Sequence, residues 1–251
     1  MDKGIGFYRN LYLAWLDATA GLCLETNDIA EIRAHLDPIL AETVASRRNR
    51  GRALEMLVNI WVRTGDDHPA LRAEALDLYR DLPQPADRVW LHYGLTLLRF
   101  PFFRTTAVTI GQLSQHSDVI TSREIKGRIF ASMGQVGSLD NAVERVVFSL
   151  RNWGLLADTD KRTEYRPLRH ALATASQPLE LWLLATALTA HPAEEIPFSD
   201  LVRLPELFPF RFTVTSDDLR RSPHFEIHRQ GLGWDMVGLR APDALGTSVS
   251  T

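Results

Sequence analysis

Residues 121–166 read TSREIKGRIFASMGQVGSLDNAVERVVFSLRNWGLLADTDKRTEYR, and the order of signals along them decides the fold of the middle of the chain. Thr121-Ser122-Arg123-Glu124 has the form of a capping box. A threonine three residues before a glutamate lets each side chain satisfy the other's backbone N–H at a helix start. The helix so opened carries Ile125, Ile129 and Met133 on one face, with Phe130 beside them. Gly134-Gln135-Val136-Gly137 is a short turn, and Ser138 is placed to cap a third helix. Val143, Val146, Val147, Leu150 and Trp153 recur at the spacing of a single helical face, the stripe such a helix buries. Opposite it stand Asn141, Arg145, Phe148 and Asn152, flanked by Glu144, Ser149 and Arg151; Gly154 ends the helix. Two short strands follow, Leu155–Ala157 and Thr163–Arg166, around the charged turn Asp158–Arg162. Tyr165 is the aromatic that pins the second strand to the core.

Upstream, Thr105 or Thr106 is placed to cap a helix carrying Ala107, Val108, Ile110 and Leu113, ending near Ser117-Asp118. Three helices, a tight turn between the second and third, and a closing hairpin give the order of a winged helix-turn-helix over 105–166. The stretch Asn141 to Leu156, which closes on Trp153-Gly154-Leu155-Leu156, resembles bacterial members of that superfamily. They share a helix ending in an aromatic residue, Gly, Leu and Leu or Ile before the wing. The resemblance covers about a quarter of the chain and identifies a fold, not a single family.

The resemblance implies DNA binding. One helix fits the major groove, about 12 Å wide. Arg145 would then face guanine, Asn141 or Asn152 adenine, and Phe148 a thymine methyl, with Ser149 and Arg151 alongside. Ser138, Arg123 and Lys126 would take phosphates, and Lys161 and Arg162 at the wing tip a phosphate or the minor groove. Winged helices also dock proteins. Glu144 is unfavourable against a phosphate backbone, and Phe148 suits a protein contact equally well.

On either side the pattern changes. Residues 1–100 read as a helical domain. Phe7, Leu11, Ala14, Trp15 and Ala18 form one stripe, Leu54, Leu57, Val58 and Trp61 another that Gly65 stops, both core. Asn27 or Asp28 caps a second helix that runs to Asp37, with Pro38 opening the next; Pro69 opens a later one. Residues 101–170 hold the winged helix, with Pro101–Arg104 as the boundary, and residues 171–240 an α+β module. In that module Pro178–Ala190 is a helix apolar on most faces, buried between domains. Ser199 caps a short helix through Leu204, Phe210, Phe212 and Val214 alternate as a strand, and Thr215–Asp218 starts another helix. His224–Arg229 and Trp234–Leu239 make a hairpin about Gly231-Leu232-Gly233. The grammar repeats that of the middle segment, so a second winged helix is an expectation, with the strand at 210–214 out of place for it. Residues 241–251 read as a flexible tail. The class is mainly α with a C-terminal α+β part.

The 251 residues carry a net charge of −3 and 45% hydrophobic residues, an ordinary globular balance. Between residues 104 and 169, ten basic residues face seven acidic ones, a surplus of three that leaves the remainder at −6. The densest basic run is Arg47, Arg48, Arg50 and Arg52, a second phosphate-contacting patch if not a solvated helix end. Arg220, Arg221, His228 and Arg229 would be the corresponding contacts of the C-terminal module. Cys23 stands alone in an apolar run, a buried small hydrophobe that excludes a disulfide framework or a cysteine-pair zinc site. The start lacks a basic end followed by an apolar run, which with the absence of a long apolar stretch points to the cytoplasm.

Catalytic motifs are missing. Gly231-Leu232-Gly233 lacks the spacing and helix of a dinucleotide loop, and there is no Gly-Lys-Ser/Thr phosphate loop or His-Glu-x-x-His. Neither Asp66-Asp67-His68 nor His224 with His228 has the geometry of a metal site. The expectation is a cofactor-free, non-catalytic binder of double-stranded DNA. It would act as a regulator or as the DNA-contacting subunit of a larger bacterial system such as a defence complex. The alternative is an adaptor that docks a protein, and a homodimer is compatible with either.

Overall fold

The computed structural model describes residues 6–82, 84–134, 137–230 and 234–240. The protein is mainly α-helical, with two three-stranded antiparallel sheets in its C-terminal two thirds. The N-terminal part comprises α1 (Leu13–Cys23), α2 (Ile29–Ala41), α3 (Arg47–Trp61), α4 (Thr64–Asp67), α5 (Pro69–Asp81) and α6 (Pro85–Arg99). Asp28 caps α2 by accepting from the N–H groups of Ala30 and Glu31, and Ser46 caps α3 by accepting from that of Asn49. The Leu54, Leu57, Val58 and Trp61 stripe is core, but Phe7 to Ala18 is not one helical face: α1 begins at Leu13, Phe7 and Leu11 are buried from the segment before it, and Ala14 is exposed. Cys23 is buried too, and burial pushes its thiol pKa up against the opposing pull of Arg72.

The middle segment runs α7 (Pro101–Ser114), β1 (Ile120–Thr121), α8 (Ser122–Met133), α9 (Leu139–Asn152), β2 (Leu156–Asp158) and β3 (Glu164–Pro167). Its sheet has the order β1-β3-β2, with Ile120 opposite Tyr165 and Ala157 opposite Arg166. The capping box at Thr121 and Glu124 forms as expected, and Val143, Val146, Val147, Leu150 and Trp153 are buried. The C-terminal segment runs α10 (Gln177–Ala190), β4 (Glu195–Pro197), α11 (Phe198–Leu201), a short 3₁₀ turn at Pro205–Leu207, α12 (Ser216–Arg221), β5 (Phe225–Gln230) and β6 (Trp234–Leu239). Its sheet has the order β4-β6-β5. Both segments therefore follow one plan: helix, strand, two helices, hairpin, with the first strand paired antiparallel to the last.

Several boundaries differ from the sequence expectations. α7 begins at Pro101, not at Thr105 or Thr106, because Phe100 is extended and proline suits a first turn whose N–H is unbonded anyway. One turn on, the Thr105 and Thr106 hydroxyls donate to the carbonyls of Pro101 and Phe102. Ser138 does not cap α9: its backbone is already near-helical (φ −95°, ψ −9°), which is not the extended geometry a cap needs. Pro38 lies inside α2, one turn from its end, and Gly65 lies within α4, α3 having stopped at Trp61. Ser199 is the second residue of α11, which is preceded by Pro197 and ends at Leu201. The chain at 210–214 makes no strand ladder. The N–H groups of Thr213 and Val214 instead donate to the buried Glu180 carboxylate at 2.7 and 3.0 Å, and that removes them from any sheet. The turns at 135–136 and 231–233 and the tail at 241–251 lie outside the described residues.

α10 is buried as expected and joins the parts. Its Trp182 ring lies against α6 where residue 94 is glycine; a Cβ there would stand 2.6 Å from the ring. The Trp182 indole N–H donates to the Leu71 carbonyl of α5. Buried side chains from all three segments form one continuous hydrophobic core. No helix among the described residues is long and apolar enough to cross a membrane.

Candidate nucleic-acid interface

The outer face of α9 is where the sequence places base-reading side chains, and the N-terminal segment at residues 7–13 covers much of it. Phe7 is fully buried, stacked on Phe103 and edge-on to Phe100, and Leu11 is fully buried as well. These two anchors lay the intervening backbone along α9. The Leu11 N–H donates to Ser149 Oγ at 3.0 Å, and the Leu13 N–H to Asn152 Oδ1 at 2.7 Å. The Trp153 indole N–H donates to the Leu11 carbonyl, and the Tyr12 ring packs edge-on against Phe148. Ser149 is 0% exposed. Ser149, Asn152 and Phe148 therefore hold the N-terminal segment in place; Ser149 is buried under it rather than facing outward as expected, whereas Phe148 is half-buried and Asn152 stays exposed.

Charge on the remaining face is largely neutralised. Lys126 on α8 bonds Glu144 at 2.8 Å and Asp140 at 3.2 Å. Burial works to lower its pKa, but these two carboxylates prevail and raise it. Arg151 pairs with Asp158 and lies over the Tyr165 ring, and Lys161 pairs with Glu164 at 3.5 Å. Arg123, Ser138, Asn141 and Arg162 are exposed and have no acidic partner among the described residues. Arg123 lines a shallow groove between α8 and Thr163, whose left-handed backbone (φ 68°) turns its carbonyl onto the Ser122 N–H.

Arg145 has a different setting. Its guanidinium donates to Asn10 Oδ1 at 3.2 Å, and its charge acts on Arg9, as do those of Arg52 and Arg48. Arg9 donates to Asn49 on α3, and its Nε is buried with no partner. Its pKa is depressed first by burial and then by the charges of Arg52, Arg145 and Arg48. The N-terminal segment, the first turns of α3 and the middle of α9 thus bring four arginines together. None of the four has a carboxylate within ion-pairing distance among the described residues. The arrangement is locally unfavourable. Arg47 and Arg48 stand at the positive end of the α3 dipole, whose first turn holds no acidic residue, and Arg52 follows one turn on. Arg50 is the exception in that run: it bonds Asp37 and the carbonyls of Val44 and Ala45, tying α3 to the end of α2.

Sequence reading placed Arg48, Arg52 and Arg145 in two separate patches and missed Arg9, a lone arginine with no local signal. The C-terminal patch is exposed but stands among carboxylates. Arg220 pairs with Asp217 and Asp235, Arg221 with Asp218, Arg229 lies 3.8 Å from Asp235, and His228 lies 3.4 Å from Glu195. Comparison with known protein families, with curated proteins and with solved structures gives no match.

Proposed function

We propose that the protein binds double-stranded DNA without catalysing a reaction, gripping the phosphate backbone through Arg9, Arg48, Arg52 and Arg145. The observation that carries this reading is the clustering of Arg48, Arg52 and Arg145 around Arg9, from three parts of the chain, without an acidic ion-pair partner among the described residues. Like charges packed together at a helix N-terminus cost folding energy, and a polyanion relieves that cost on binding. The repeated helix–strand–helix–helix–hairpin plan supports a tandem winged-helix architecture for residues 101–240. The first copy would present Arg123 and Arg162 as further phosphate contacts. With Ser149, Asn152 and Phe148 engaged internally, little remains to read base edges beyond Asn141. Contacts to phosphate fix position without reading sequence, so weak sequence preference is expected. A regulator and a DNA-contacting subunit of a larger bacterial assembly are both compatible with this chemistry. A second reading, docking of a partner protein, has its own support in Trp234, 60% exposed on the C-terminal hairpin, because exposed tryptophans are frequent interface anchors.

The test is fluorescence anisotropy on random duplex across a salt series. Four phosphate contacts predict a log–log slope of about −3.6, and Arg48→Ala with Arg52→Ala should reduce it by roughly 2. Absence of binding at low salt, or a slope unchanged in the folded double variant, would sink the DNA reading and leave the docking one.

A further inference from the structure

We infer that the cleft between α7 and the 202–208 segment is a binding site for a small phosphate-bearing anion, distinct from the arginine cluster. The cleft has a volume of about 270 Å³ and is lined by Gly111 and Ser114 of α7, by Arg169 and His170, and by Arg203 and Phe208. No acidic side chain lines it. Arg203 has no ion-pair or hydrogen-bond partner among the described residues, and Arg169 uses one guanidinium nitrogen on the Ser114 carbonyl at 3.0 Å, leaving the others available. His170 Nδ1 stands 3.1 Å from the Phe210 carbonyl. A carbonyl only accepts, so Nδ1 carries the proton; in that tautomer Nε2 is an acceptor, suited to the P–OH of a singly protonated phosphate.

The backbone around the cleft is held in ways that ordinary packing does not require. His170 occupies the left-handed region (φ 51°), where a non-glycine residue is strained, and is kept there by its N–H bond to the Phe208 carbonyl. α7 meets the 3₁₀ turn so closely that a Cβ on residue 111 would lie 1.9 Å from the Pro205 carbonyl oxygen. Glycine at 111 thus sets the floor of the cleft, and the strained His170 sets its rim. Two arginines and a histidine lining a space smaller than the usual drug-sized pocket match a phosphate group with a few attached atoms.

The experiment is a thermal-shift titration of the full-length protein with inorganic phosphate, and in a second arm with glycerol 3-phosphate, against chloride at matched ionic strength. Either anion should raise the melting temperature saturably by several degrees; a larger effect of the ester identifies a phosphate monoester as the ligand. Arg203→Gln should abolish the shift, and Arg48→Ala with Arg52→Ala should leave it intact, which separates this cleft from the DNA-gripping cluster. His170→Gly suits the left-handed backbone and so tests the imidazole in a chain that folds; it should weaken the shift. Loss of the shift in the Arg48/Arg52 variant, or its persistence in Arg203→Gln as expected of a general salt effect, would overturn the proposal.

Discussion

Glu180 shows how a single buried side chain organises the C-terminal third. Its carboxylate is 1% exposed and accepts from the N–H groups of Thr213 and Val214 and from the Thr213 hydroxyl. Removing it strands two backbone donors in the interior, and each unsatisfied buried group costs about 1–3 kcal/mol. Glu180→Ala should therefore lower stability by about 2–5 kcal/mol in urea unfolding. Glu180→Gln, which keeps one acceptor oxygen, should lose less. Equal losses for the two substitutions would mean that the intact carboxylate is required and that the single oxygen kept by glutamine does not satisfy the stranded donors. The same residue explains why alternation at Phe210, Phe212 and Val214 misled. Phe210 and Val214 are buried, Phe210 against Trp90 and Tyr93. A period of two reports burial, while a ladder also needs free backbone donors. Side-chain competition for those donors, from a glutamate 33 residues away, leaves no local trace.

At the scale of an element, α3 carries opposing demands. Its hydrophobic face builds the N-terminal core through Leu54, Leu57, Val58 and Trp61, and its first turns hold cations where the helix dipole favours anions. If those cations are kept for a polyanion, reversing them should separate stability from binding. Arg48→Glu, in the first turn, should raise stability by about 0.3–1 kcal/mol through the dipole, and both it and Arg52→Glu should gain from easing the repulsion on Arg9. The same substitutions should abolish DNA binding. A fall in the denaturant midpoint would refute the view that these arginines are retained at a cost to folding. Elements also differ in how plainly they were written. The α8 start was legible because a capping box is local chemistry between Thr121 and Glu124. The buried stripe of α9 was legible because 3.6-residue periodicity identifies the face turned to the core. The use of the opposite face was not. Periodicity has no means of telling water from a covering segment that begins 135 residues away, as the Asn10–Arg145 bond does. Strand β4, three residues of which only Ile196 is buried, carries too short a pattern to register, although it completes the second sheet.

For the whole molecule, the three segments drawn from the sequence at 100/101 and 170/171 correspond to changes of pattern, yet their buried side chains belong to one core. α6 and α7 are separated by the single residue Phe100, and Trp182 of α10 fills the surface left by Gly94 of α6. The N-terminal segment goes further, since Phe7 and Leu11 are fully buried while the bonds around Leu11 reach Ser149 and Trp153 in the middle segment. A chain built this way should unfold as one unit, its calorimetric and van't Hoff enthalpies agreeing as they do for a two-state transition. Leu11→Ala is the decisive probe. Truncating a fully buried leucine costs about 2–5 kcal/mol. If the core is continuous, that loss should lower a single transition seen identically by helical circular dichroism and by tryptophan fluorescence. If residues 101–240 fold on their own, the substitution should instead split the melt, moving an early N-terminal phase and leaving a later one where it stands in the wild type. The second outcome would also recast the arginine cluster. Arg9, Arg48 and Arg52 would then belong to a unit free to move away from Arg145, and the four-arginine grip would exist only while the N-terminal segment stays docked on α9.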